Sequence, residues 1–139
     1  MHFAKEMYLA KDDLEQMKYE VVLPSDIDDC IANPNLKTSF EGNFEDELRH
    51  CLDRNLLREG FDKIEKCDAT LFVNYPKNEI QGYMGASSLM ELAIAFFLHK
   101  KIFLLYPVDR QQKYALEVEL TKPLDLNGDI NNIQKYLGV

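Results

Sequence analysis

Apolar side chains recur at helical spacing from the start of the chain: Phe3, Met7, Ala10, Leu14 and Met17, with Lys5, Asp12, Asp13 and Glu15 between them. That period predicts an amphipathic helix. Residues 19–23 (Tyr-Glu-Val-Val-Leu) read as a short strand stopped by Pro24. Residues 25–39 are polar and read as a loop holding at most a helical turn. Helical spacing returns over 44–67, with Phe44, Leu48, Leu52, Leu56, Leu57, Phe61 and Ile64 on the inner side and Gly60 as a point of bending or division.

Residues 69–73 and 101–106 are continuous apolar runs of strand length, as expected of strands covered on both faces. Between them come a loop over 75–85, with Pro76, Asn78, Gly82 and Gly85, and a helix over 88–99. A short helix over 110–118, a last strand over 124–126 and a turn at Asn127-Gly128 follow, and Asp129 caps a terminal helix carrying Ile130, Ile133 and Leu137. Helices alternating with short apolar strands predict an α/β fold: a Rossmann-like (flavodoxin-like) open, mainly parallel sheet with helices on both faces. Such folds usually open on a central strand. Here the first element is a helix, so the first strand is missing from the pattern. Either the sheet has only the strands named, or the natural protein continues upstream of Met1. With 139 residues the chain suits one domain, residues 1–139, with no internal repeat, low-complexity tract or linker.

Composition narrows the function classes. Hydrophobic residues make up 46% and charged residues 29%, an ordinary globular balance. The net charge of −8 repels phosphate backbones, so nucleic acid is not an expected partner, although backbone N–H groups can still hold one small anion. Cys30, Cys51 and Cys67 form no C-x-x-C pair, which fits a reduced, cytoplasmic setting. His50 adjoins Cys51, but neighbouring helix positions point apart, and His2 and His99 belong to no motif. The acidic run 26–30 lacks the spacing and glycine of a calcium loop and reads as solvated. No metal or other cofactor is expected. Residues 1–10 lack the apolar core of a signal peptide, and the apolar stretch 92–98 is too short to span a bilayer, so no membrane partner is expected.

Ligands of open α/β sheets gather where strand ends feed helices. The loop 74–85 is such a place. It offers Asn74, Tyr83 and Gly85, and the next helix offers Ser87 and Ser88 as hydroxyl contacts or as helix caps. Lys77 and Tyr83 have the charge and the ring to meet an anion or a base, and solvated loop positions are the plainer reading. The helix over 89–98 is apolar nearly all round, which predicts burial by the sheet and by a second subunit, hence a homodimer or higher homo-oligomer. Glu91 is its only acid. Ser88-x-x-Glu91 matches a capping box, a purely structural role. The other reading makes Glu91 an active-site carboxylate whose pKa is raised by apolar neighbours.

The run 67–75 (Cys-Asp-Ala-Thr-Leu-Phe-Val-Asn-Tyr), the loop to Gly85, the segment Ser-Leu-Met-Glu-Leu-Ala and the strand Lys-Lys-Ile-Phe-Leu-Leu-Tyr-Pro resemble the nucleoside 2-deoxyribosyltransferase superfamily. That superfamily includes the deoxynucleoside 5′-monophosphate N-glycosidases, and the likeness covers most of the chain. The resemblance implies that Glu91 is a nucleophile attacking the anomeric carbon of a nucleoside or nucleotide, with a glycosyl-enzyme ester as intermediate. It implies a second acid, for which Asp62 and Asp68 are the candidates, although Asp68 also suits a cap at the start of a strand. Family members begin with a strand and a Gly-Ser turn that this sequence lacks, and Gly85 stands where an acid is common. Three readings follow: an N-glycosidase or deoxyribosyltransferase, a non-catalytic nucleotide-binding or sensor module, and a truncated inactive member whose role is assembly.

Overall fold

A computed structural model describes residues 3–138. Helix α1 (Ala4–Gln16) opens it, followed by α2 (Ser25–Ala32), α3 (Leu36–Ser39), α4 (Phe44–Asp53) and α5 (Leu56–Lys66). Strand β1 (Ala69–Phe72), helix α6 (Ala86–Phe97), strand β2 (Lys101–Leu104), helix α7 (Ala115–Leu120) and strand β3 (Leu124–Asp125) come next. The chain then makes a 3-10 turn (Ile130–Ile133) and a last helical turn, α8 (Gln134–Leu137). Met1, His2 and Val139 lie outside the described residues.

The protein is mixed α/β, with a small open sheet of order β1-β2-β3 among the described residues. All pairings are parallel: Ala69 lies opposite Lys101, Phe72 opposite Leu104, and Phe103 opposite Leu124. Alternation along each strand divides the core in two. Phe72, Ile102 and Leu104 face Ile64 of α5, Leu92 and Ala95 of α6, and Ala115 and Val118 of α7. Val73, Phe103, Leu105 and Leu126 face Leu14 of α1 and Ile133 of the 3-10 turn. Right-handed crossovers that advance in one direction across a sheet put their helices on the same side, which is why α6 and α7 share a face. α1 and the C-terminal turns cover the other.

Four sequence expectations need correction. Residues 19–23 form no strand: Tyr19 and Val21 pack on the α1 side of the core, and the Tyr19 hydroxyl is tied to the Gly138 carbonyl. The polar segment after Pro24 is helical, because Ile27 is fully buried and Asp26 and Asp28 in its first turn suit the helix dipole. The long helix divides at Asn55, not Gly60: Asn55 takes a left-handed φ of 52°, which asparagine tolerates. Its first half also lacks the expected inner face, since α4 buries no residue and leaves Phe44 and Leu52 open. The short helix expected over 110–118 starts later, because the Asp109 side chain accepts from the Gln111 N–H and shapes a turn there. Asp129 caps as expected, accepting from the Asn131 N–H at 3.0 Å.

Candidate active site

The loop from β1 to α6 has its own scaffolding. Lys77 and Ile80 pair through their backbones in both directions, with Asn78 and Glu79 at positive φ between them. That is the geometry of a tight hairpin turn. Gly82, at φ +62°, passes so close to Pro107 that a Cβ there would sit 2.3 Å from the Pro107 carbonyl oxygen. Gln112 spans the gap between the two loops: its Nε2 donates to the Gly82 carbonyl and its Oε1 accepts from the Met84 N–H. The loop is thus fixed where it delivers Tyr83 and Gly85 to the start of α6.

Gly85 is the N-cap of α6, in extended conformation, and no side chain caps this helix. A Cβ on Gly85 would meet the Tyr83 ring at 3.6 Å, and Lys77 Nζ lies 5.0 Å from the centre of that ring. Ser87 is exposed and Ser88 half-buried, both inside the helix. Neither does the capping expected of it, and the capping box fails with them. Glu91 lies in the second turn, beyond reach of the cap position, and the first turn holds no acid.

Glu91 is half-buried. Burial pushes its carboxyl up to about pKa 7, and the charge of Asp26 pushes in the same direction. Among the described residues, none forms a hydrogen bond or ion pair with it. Asp26 comes from the first turn of α2, where Lys63 of α5 donates to the Leu23 carbonyl and the Ser25 hydroxyl at 2.8 Å each. Arg54 adds an ion pair to Asp29 at 3.0 Å. Asp26 also bears on Cys51 of α4, whose thiol is pushed up first by burial, then by Glu47 and Asp26. Helix α2 packs against α1 and α5.

The other candidate residues are placed differently. Asp62 is exposed on α5, and Asp68 is exposed at the amino end of β1, where its carbonyl accepts from the Lys101 N–H. Neither contributes to the shift of Glu91. Asn74 is only 3% exposed, and its amide is turned inward onto the backbone of Tyr106. That makes it a clamp between the ends of β1 and β2 and not a ligand contact. Asp26, read from sequence as part of a solvated loop, is the acid whose charge bears on Glu91. Its signal was Pro24-Ser25-Asp26 ahead of Ile27, a helix start with an apolar anchor.

A carboxyl with a pKa near 7 is half ionised at neutral pH, so it can act as a nucleophile or carry a proton. Two hollows, of about 210 and 200 Å³, lie elsewhere. The first is lined by Leu89, Leu92 and Ala93 of α6 with Tyr114, Glu117 and Thr121, the second by residues of α4. Among the described residues, no group of three or more His, Cys, Asp or Glu is placed to hold a metal, and no helix is long and apolar enough to cross a membrane. No family model matches the chain, and comparison with the curated proteins and with the solved structures yields no match.

Proposed function

We propose that this chain is a Rossmann-like N-glycosidase or 2-deoxyribosyltransferase acting on a nucleoside or nucleotide, with Glu91 as the nucleophile. The observation that carries the reading is a lone, half-buried carboxyl on an apolar helix, free of any capping duty and poised near pH 7. A Glu91 oxygen forms a bond to the anomeric carbon while the carbon–nitrogen bond to the base breaks. The electron pair leaves on the base nitrogen, which takes up a proton. Water or a second base then attacks the same carbon, and the ester bond breaks to restore the carboxylate. The site would draw on Tyr83, Gly85, Ser87 and Ser88 for the substrate, with Asp62 and Asp68 at greater remove from Glu91's electrostatics.

The same reading makes the protein cytoplasmic, independent of metal or other cofactor, and a homodimer or higher homo-oligomer through α6. Incubation with deoxynucleosides and their 5′-monophosphates, with free base measured by chromatography, tests it. Release of base by the wild type and its loss in Glu91→Gln is the expected result; no release from any of them removes the proposal. A non-catalytic nucleotide-binding module is the second reading, favoured by the position of both hollows away from Glu91. It calls for a ligand-induced rise in Tm without turnover.

A further inference from the structure

We propose that two copies of this chain pair their α6 helices antiparallel about a two-fold axis at Ala93, with Phe96 of each copy seated in the hollow between α6 and α7 of the other. The inference rests on the reading that the chain associates with itself through α6, and it adds the register and the anchoring residue.

The outer stripe of α6 is Ala86, Met90, Ala93, Phe96 and Phe97, all exposed, with Met90 at 46%, Phe96 at 51% and Phe97 at 76%. None of the five carries a charge. Glu91, the only charge on the helix, lies about 160° around it from Ala93. Aromatic residues present 150–250 Å² each. By that measure the stripe and the half-open Tyr114 beside it leave roughly 400–500 Å² of apolar surface per copy. Two such faces supply on the order of 900 Å², a fitting apolar centre for an interface of ~1,200–2,000 Å² in total.

Geometry favours a second copy as the occupant. In an antiparallel pair related by a two-fold axis, each flank of one helix meets the same flank of the other. A residue three positions after the axis then meets the level three positions before it. Phe96 therefore arrives at the level of Met90, on the flank that carries Leu89 and Leu92. That flank is where the hollow lies, walled by Leu89, Leu92 and Ala93 on one side and Tyr114, Glu117 and Thr121 on the other. An apolar cavity of roughly 150 Å³ accepts a benzene ring, and this hollow measures about 210 Å³. The Thr121 hydroxyl is already spent, donating to the Val118 carbonyl at 2.6 Å, so it asks nothing of an apolar guest. On the opposite flank Phe97 arrives at the level of Leu89 beside Met90, a thioether–aromatic contact. Ala93, at the axis, is small enough to let the helices close. Knob and hole thus belong to the same surface.

Sedimentation of the full chain across a range of concentrations should show a dimer. Phe96→Ala should weaken it tenfold or more, and Phe96→Glu should leave a monomer with unchanged circular dichroism. Leu116→Glu, an exposed α7 position on the flank away from the hollow, should remain dimeric. Ala93→Cys should form a disulfide-linked dimer on oxidation that the wild type, with its three native cysteines, does not form; this arm decides the matter if Phe96→Glu unfolds. A dimer that survives Phe96→Glu, or that Ala93→Cys does not cross-link, overturns the register while self-association stands. A monomer at every concentration overturns both. No arm depends on Glu91 chemistry.

Discussion

Asn74 closes a ring of two hydrogen bonds with the backbone of Tyr106: its Nδ2 donates to the Tyr106 carbonyl at 2.8 Å, and its Oδ1 accepts from the Tyr106 N–H at 2.9 Å. The clamp continues the β1–β2 ladder two residues past the last paired residues, at the edge where the two long loops depart. Removing it takes the partner from two part-buried backbone groups, at up to about 1–3 kcal/mol for each unsatisfied group. We expect Asn74→Ala to lose about 2–4 kcal/mol in urea unfolding. Asn74→Asp keeps the acceptor but turns a second oxygen toward a carbonyl. Its stability should fall as pH rises and the carboxyl ionises. An Asn74→Ala protein as stable as wild type would mean the ring contributes nothing.

The glycines separate in the same way. Gly82 needs both its positive φ and its missing Cβ, because the Pro107 carbonyl oxygen occupies the space a side chain would take. Gly82→Ala should cost roughly 3 kcal/mol or more, within the range of severe backbone and overpacking changes, and should loosen the loop that Gln112 holds. Gly60 lies inside α5 with nothing within 4 Å of its would-be Cβ. Gly60→Ala should therefore stabilise by ~0.5–1 kcal/mol. Chemical denaturation of the two variants side by side reads both signs.

How far the sequence could be read depended on what each residue's signal was about. The apolar runs over 69–73 and 101–106 have the length and continuity of covered strands, and strands form at Ala69–Phe72 and Lys101–Leu104. Residues 19–23 carry similar side chains, but a strand also needs a neighbour, and no periodicity says whether one exists. Gly60 looked like a break because glycine is a poor helix former. The actual break at Asn55 turned on tolerance of left-handed backbone, which is a weaker mark in a sequence. At the site, Glu91 was visible as the one acid on an apolar helix. Its capping role was a pattern match that fails because the helix starts two residues earlier than expected, at Ala86. Asp26 was hidden because its nearness to Glu91 is a tertiary fact, set by Lys63 and by the burial of Ile27.

That nearness has a thermodynamic consequence. Glu91 has its carboxyl raised from 4.5 to about 7 by burial first and Asp26 second. A group raised on folding binds its proton more tightly in the native state, so its stabilising effect is whole below the unfolded value and is lost as pH rises through the folded one. The window here runs from about pH 4.5 to about pH 7. At about 1.4 kcal/mol per unit, ionised Glu91 costs on the order of 3 kcal/mol. Glu91→Gln should therefore be more stable than wild type at pH 8 by up to about that amount, with little difference at pH 4. Denaturant midpoints at the two pH values test this; a variant less stable than wild type at pH 8 contradicts it.

The same titration assigns the chemical role of Glu91 in the glycosyl-transfer reading. A nucleophile must be ionised, so kcat/KM for base release should rise with pH and level off above about 7. A proton donor would give the reverse, a rate falling across that pH. Asp26→Asn removes a negative neighbour, lowers the pKa of Glu91, and should move the rising limb to lower pH while leaving the plateau in place. A mutation that merely loosened α2 would lower the plateau and leave the limb where it was. Rates measured from pH 5 to 9 for wild type and Asp26→Asn therefore separate electrostatic control of Glu91 from a structural role of the α2 start.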